Sequence, residues 1–318
     1  MKNVAKNLFA LLFVFCSISL YSQSSDELFI QGKDYYNAEK YLKAVKCFEK
    51  AAKKGHVEAQ LALGICFYEG KGVNQNYNKA VEWFKMAAGK GNADAQFNLG
   101  LCYEKGNGVK QNYNEAAKWY GMAAEQGFTE AQSKLGILYT YGRGVQKDYS
   151  EALKWYRMAA DKNDADAQYN IGVCYAEGKG VKLDYKEAVA WWKKAAENGQ
   201  VYAQMNLGIH YTLGKGVNVD KKEALKWWIK AAEQGMVDAQ YNVGYNYYMG
   251  DGIERNYTEA VKWFGLAAEQ GDPKAQYYMG VCYRYGYGVK QDNKQAKRWF
   301  RAAAKQGLKP AIDALKEF

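Results

Sequence analysis

The pair Ala-Gln returns every 36 residues along this chain, at Ala59-Gln60, Ala95-Gln96, Ala131-Gln132, Ala167-Gln168, Ala203-Gln204, Ala239-Gln240 and Ala275-Gln276. Glycine follows each alanine five positions on, from Gly64 to Gly280. A Gly-x-Gly-Val motif, once with isoleucine, runs from Gly70-Lys71-Gly72-Val73 to Gly286-Tyr287-Gly288-Val289. Tryptophan precedes a second aromatic at Trp83-Phe84, Trp119-Tyr120, Trp155-Tyr156, Trp191-Trp192, Trp227-Trp228, Trp263-Phe264 and Trp299-Phe300. No insertion breaks the register. A period of this length marks one supersecondary unit that cannot cover its own apolar face, so neighbouring units must stack and share a core.

Each unit reads as two helices. In the first, Ala59, Leu63 and Phe67 fall four apart and make one apolar stripe. The Gly-x-Gly loop ends it, because glycine enters the left-handed conformation at little cost. The second helix starts at an Asn or Asp cap, namely Asn76, Asn112, Asp148, Asp184, Asp220, Asn256 or Asp292. Glu115, Glu151, Glu187, Glu223 and Glu259 lie three residues after their caps, the spacing of a capping box. Ala80, Phe84, Ala87 and Ala88 form the buried face of this helix, which ends at Gly91 and its equivalents, with Asn163 in the glycine position once. Gly64 shares a stripe with Leu63 and Phe67, where a missing side chain lets two helices approach. Ala80 and Ala87 are the expected facing positions. Only 2 prolines in 318 residues suit this helical reading.

Lys2 and Lys6, the 13-residue apolar run from Leu8 to Leu20, and the small polar residues Ser22, Ser24 and Ser25 read as a secretory signal over residues 1–22. The run is too short to cross a bilayer comfortably, and the bulky Val14-Phe15 before Cys16 argue against lipidation. The expected location is therefore outside the cytoplasm, periplasmic or secreted. Removing the segment takes two lysines and no acid from a formal charge of +10, leaving +8. These charges alternate with acids on helix faces and form no basic block, which reads as a solvated surface, with no nucleic-acid partner expected. Cys66, Cys102, Cys174 and Cys282 occupy one position in four repeats, with Leu138 and His210 in two others. Equivalent positions of stacked helices stand about 10 Å apart, beyond disulfide reach, so these thiols are expected to be buried and reduced.

Catalytic and metal motifs are missing from the sequence. His56 and His210 have no second histidine or cysteine pair at ligand spacing. Neither a nucleophile elbow nor a phosphate-binding Walker loop occurs, and the repeated Gly-x-Gly follows helices, not strands. Asp164 and Asp166 sit at a helix start, where acids favour the macrodipole. No enzyme activity, metal or cofactor is expected.

The succession Ala-Gln-x-x-Leu-Gly, Gly-x-Gly-Val, Asp-Tyr-x-x-Ala-x-x-Trp-Tyr and Ala-Ala-x-x-Gly over residues 56–307 resembles the Sel-one-like repeat family, a branch of the tetratricopeptide repeat superfamily. The resemblance implies an all-α fold, a right-handed α/α solenoid of seven 36-residue repeats. Residues 23–55 depart from it: Gly32 to Ala44 spans 12 residues against 16 from Gly64 to Ala80, the spacing of an ordinary tetratricopeptide unit serving as a cap. Residues 308–318 read as a closing helix. The resemblance also implies that first helices line a concave face and second helices a convex one. A cysteine-rich branch of the family is linked to β-lactam binding or hydrolysis, but its members carry cysteine pairs within each repeat and this chain does not.

On the implied concave face the residues vary from repeat to repeat. Three before each repeat glycine stand Leu61, Phe97, Ser133, Tyr169, Met205, Tyr241 and Tyr277; one after it Ile65, Leu101, Ile137, Val173, Ile209, Tyr245 and Val281; four after it Tyr68 and, among others, Tyr248. Phe97, Tyr169, Tyr241, Tyr245, Tyr248 and Tyr277 are the candidate binding residues, because aromatic rings give contact area with little entropy loss. The expected function is a scaffold or adaptor, acting as a monomer, that holds a protein or peptide in this groove and meets a membrane only through the signal or a partner. The alternatives are a carbohydrate or cell-wall binder, since aromatic grooves stack on sugars, and a β-lactam-directed enzyme.

Overall fold

The computed structural model describes residues 23–318, so the segment read as an export signal lies outside the described residues. Among the described residues there are seventeen α-helices and no strand. They fall into two compact units that meet in sequence at Gln146 and Lys147. The first holds α1 (Ser25–Asn37), α2 (Tyr41–Lys53), α3 (Val57–Glu69), α4 (Tyr77–Ala88), α5 (Ala93–Lys105), α6 (Tyr113–Glu125) and α7 (Thr129–Tyr141). The second holds α8 (Tyr149–Ala160), α9 (Ala165–Glu177), α10 (Tyr185–Glu197), α11 (Val201–Leu213), α12 (Lys221–Glu233), α13 (Val237–Met249), α14 (Tyr257–Glu269), α15 (Pro273–Tyr285), α16 (Asn293–Lys305) and α17 (Lys309–Lys316). Within each unit the extensive contacts join helices consecutive in the chain, which makes each unit a solenoid stack of helical hairpins.

The hairpin is closed by glycine meeting an aromatic ring. A Cβ placed on Gly64 would lie 2.6 Å from the Phe84 ring, and one on Gly100 2.6 Å from Tyr120. In the second unit Gly172 faces Trp192, Gly208 faces Trp228, Gly244 faces Phe264 and Gly280 faces Phe300. The expected alanine is also there, the Ala80 carbonyl oxygen lying 3.4 Å from a Cβ on Gly64, but the ring comes closer. Ala80 and Ala87 are fully buried, but the surface laid on the glycine is the second member of the Trp-aromatic pair. A flat ring against bare backbone brings the helix axes close without the void two small residues would leave. Where that ring is an indole it gains a hydrogen bond: Trp192 Nε1 donates to the Tyr169 carbonyl at 3.2 Å and Trp228 Nε1 to that of Met205 at 3.3 Å.

The two glycines of the loop have different tasks. Gly70 ends α3 in the left-handed conformation at φ 76°. Gly72 also has positive φ, and its missing Cβ would stand 2.4 Å from the Tyr41 carbonyl carbon at the start of α2. The second glycine therefore joins one hairpin to the preceding one. Asn163 takes the left-handed position at φ 63°, as its place in the register predicts. The N-caps form as expected, Asn112 accepting from the Glu115 N–H at 3.2 Å and Asp184 from that of Glu187 at 3.1 Å. The reciprocal half of the capping box forms only at Ser24 and Glu27 among the described residues. Its absence elsewhere has a cause. The N–H of Asn112 already donates to the Tyr103 carbonyl at 2.9 Å, and that of Asp184 to Tyr175 at 2.9 Å, so no donor is left for the glutamate.

The recurring glutamine is a buried clamp that the repeat alone did not explain. Gln96 donates to the Ala88 carbonyl at 3.3 Å while its Oε1 accepts from Gln126 at 2.7 Å. Gln204 bridges Ala196 and Gln234 in the same way, and Gln240 bridges Ala232 and Gln270. Each clamp ties a first helix to the second helix before it and to the end of the one after it, satisfying a polar group that burial would otherwise penalise. At Gln60 the residue thirty positions on is Lys90, which donates to the Gly55 carbonyl at 2.8 Å instead.

Candidate functional site

First helices turn variable residues outward, and the six candidate binding residues are all half-buried on them. In the first unit Phe97 lies 5.6 Å from the Tyr120 ring and 5.0 Å from Phe128, ring centroid to centroid. In the second unit Tyr169 lies 6.0 Å from the exposed Tyr202. The remaining four converge. Tyr241 lies 6.1 Å from Tyr245 and 6.2 Å from Tyr278; Tyr245, Tyr248 and Tyr277 stand 5.7, 5.2 and 5.4 Å from the same Tyr278. Tyr278 itself stacks on Phe264 at 5.0 Å and 12°.

Tyr278 is thus the hub of the aromatic face, and the variable registers did not single it out. It stands two residues before its repeat glycine, where Asn98, Asn170, Asn206 and Asn242 recur. Asn98 bonds locally, donating to the Asp94 carbonyl at 2.8 Å. Replacing that short amide by a phenol fills the groove between α13 and α15. Burial raises the phenols of Tyr241 and Tyr278 above their usual value and pushes Tyr248 up to about 12, so all three stay neutral donors at physiological pH.

The corresponding place in the first unit is open. Ala62 holds the same register position, and beside it an apolar cavity of about 360 Å³ lies between α1 and α3, floored by Phe48. Phe29, Leu61 and Ile65 form its walls, with Lys33 and Glu58 at the rim. Lys33 Nζ sits 5.0 Å from the centre of the Phe29 ring, and the Glu58 carboxylate lies 3.2 Å from His56 Nδ1, which accepts from the Ala59 N–H. Leu61 and Ile65 belong to the variable registers, but nothing in the repeat pattern marks Ala62. Its signal is an absence, a methyl where other repeats carry a larger group.

No group of His, Cys, Asp and Glu among the described residues is arranged to hold a metal ion. The five described cysteines are free and buried. Burial pushes the thiols of Cys66, Cys102 and Cys174 up to about 11 and that of Cys282 to about 12, which leaves them protonated small hydrophobes. His210 fills the same register. Its Nδ1 lies 2.9 Å from the Lys215 carbonyl, Trp192 packs edge-on at 4.8 Å, and burial lowers its basicity. None of the described helices is long and apolar enough to cross a membrane.

The sequence model of the Sel1 repeat matches residues 32–56, 57–92, 93–128, 129–164, 165–200, 201–236, 237–272 and 273–308. No curated protein matches the chain. Among solved structures, it is similar to a protective antigen present in uropathogenic Escherichia coli strains that displays an SLR fold, at 34% identity and a TM-score of 0.84. That likeness covers 92% of this chain and 64% of the antigen, so the chain spans less than two thirds of the antigen's length. It is also similar to a Sel1 repeat protein from Oxalobacter formigenes at 31% identity and a TM-score of 0.74, covering 92% of this chain and 86% of the other.

Proposed function

Because the chain belongs to the Sel1 repeat family, whose helical scaffolds generally serve protein–protein interaction, we propose that it holds a segment of a partner protein along the face of its first helices. The observation that carries this reading is the contrast within those helices. The stripe carrying the repeat glycine and Ala-Gln is nearly constant and fully buried, whereas the half-buried registers beside it vary and are rich in aromatic and aliphatic groups.

In this proposal the cavity beside Ala62 is the anchor of the first unit. Its volume suits one bulky apolar side chain, and a buried anchor in a pocket is how recognition surfaces concentrate affinity. The tyrosines of the second unit, with Phe97 and Tyr169, present edges and hydroxyls for peptide groups. The face of Tyr278 is taken up by Phe264 at 5.0 Å and 12°, and Tyr241 stacks on Tyr245 at 6.1 Å and 30°, which favours peptide contact over a flat platform for sugar rings. With residues 1–22 read as an export signal, the partner belongs to the envelope or the medium.

The test is affinity capture from those fractions with the wild type and with Ala62→Tyr, which copies the residue found at position 278. The proposal expects the variant to stay folded and lose the captured protein. Undiminished capture by a folded Ala62→Tyr would remove the cavity from the site.

A further inference from the structure

Second helices in this chain are mostly electrically mixed. Glu151 pairs with Lys154 at 3.5 Å in α8, Glu223 with Lys226 at 2.9 Å in α12, and Glu259 with Lys262 at 3.6 Å in α14. Their last turns add Glu197, Glu233 and Glu269 in α10, α12 and α14. Helix α16 breaks both habits: Gln295 replaces the paired glutamate and Lys305 stands where those last-turn acids stand. From Asn293 to Lys305 this helix contains no acid at all.

Lys294, Arg298, Arg301 and Lys305 are all exposed and follow one another at four, three and four residues. That spacing puts them on a single stripe, opposite the buried Ala296, Phe300 and Ala303. None of the four forms an ion pair among the described residues; Glu317 pairs with Arg284 at 2.8 Å, Asp313 with Lys316 at 2.8 Å, and Asp292 caps α16 itself. Folding does not account for the arrangement. Lys305, in the last turn, is favoured by the helix macrodipole, but like charges three and four residues apart repel, and Lys294 lies in the first turn, where the macrodipole disfavours a cation.

We propose that this stripe docks an acidic segment of a partner protein. The proposal rests on the reading of the chain as a protein scaffold but uses a different surface, so the two can fail separately. At about 1.5 Å rise per residue the four cations span roughly 16 Å, which matches carboxylates at four, three and four residues on an apposed acidic helix, or alternate residues of an acidic strand. Glu269 of α14 borders the stripe, lining one pocket with Arg298. A single row of cations beside an acid suits a linear acidic chain better than an extended anionic plane such as a bilayer.

The test uses the full chain and three probes at low ionic strength: a fluorescein-labelled octaglutamate peptide, single-stranded oligothymidylate, and vesicles of phosphatidylcholine with phosphatidylglycerol. The expected result is saturable octaglutamate binding that weakens with salt and falls at least about tenfold in Arg298→Glu/Lys305→Glu. Both replacements already occur at equivalent positions in this chain, Glu82 in α4 and Glu269 in α14, so the fold tolerates them. Ala62→Tyr should leave octaglutamate binding unchanged. Absent octaglutamate binding, binding indifferent to the double reversal, or tighter binding to oligothymidylate or the vesicles would each overturn the proposal.

Discussion

The groove beside Ala62 and the groove beside Tyr278 are built on the same backbone register, with a methyl at the centre of one and a phenol at the centre of the other. Around Ala62, α1 and α3 leave an apolar cavity floored by Phe48. Around Tyr278, α13 and α15 are filled by a phenol stacked on Phe264 and ringed by Tyr241, Tyr245, Tyr248 and Tyr277. In both places a ring closes the hairpin over a glycine, Phe48 on Gly32 and Phe300 on Gly280. The hairpin is therefore independent of what fills the groove. A repeat of this kind separates the residues that hold the stack together from those free to set what it binds.

The largest effects should strike the shared part equally. Gly64→Leu and Gly280→Leu would each drive a side chain into a ring already 2.6 Å from the missing Cβ. Each should lower stability by about 3 kcal/mol in denaturant unfolding. Because a repeat protein is stabilised by neighbouring units, hydrogen exchange should accelerate first in the helices adjoining the mutated hairpin. A mild effect in one groove and a severe one in the other would break the idea of a common hairpin.

Opening the filled groove comes next. Tyr278→Ala removes the hub of the aromatic face and should cost about 2 kcal/mol, below the full value for a buried aromatic because the ring is half-exposed. Unchanged stability would mean the tyrosines around it hold themselves in place.

A pH effect follows from His210. Burial lowers its folded basicity from an ordinary value of 6.5, so the unfolded chain binds its proton first as pH drops. The stability due to the neutral ring is complete above 6.5 and is lost as pH falls through the lowered folded value. His210→Cys, which installs the residue four other repeats carry at this position, should flatten acid-induced unfolding measured by circular dichroism. Equal acid profiles for the two proteins would contradict the assignment.

Filling the open groove should disturb the fold least. Ala62→Tyr adds a ring to empty space and should move stability by no more than about 0.5 kcal/mol.

These differences also mark what a reader of the sequence can see. The period, the caps, the left-handed Asn163 and the buried cysteine register are written in single positions that recur, and the fold follows from them. The ring on Gly64 is not legible in the sequence, because small-against-small is the commoner way to bring helices together, whereas here an aromatic ring packs against the glycine. The glutamine clamp was hidden because its second partner stands thirty residues on and changes identity, Gln126, Asn198 and Gln234 among others. Ala62 and Tyr278 escaped because a departure at one variable position has meaning only once the groove around it is known. The stripe on α16 is masked for a similar reason, since net charge averages over helices whose acids and bases alternate.

The central claim is that the open groove beside Ala62 receives the partner. Photo-crosslinking from that position tests it most directly, with Ala62→benzoylphenylalanine compared with Tyr278→benzoylphenylalanine in the same capture experiment. The account predicts a crosslinked product with the captured protein from position 62, stronger than any from 278. A product from 278 alone would contradict it.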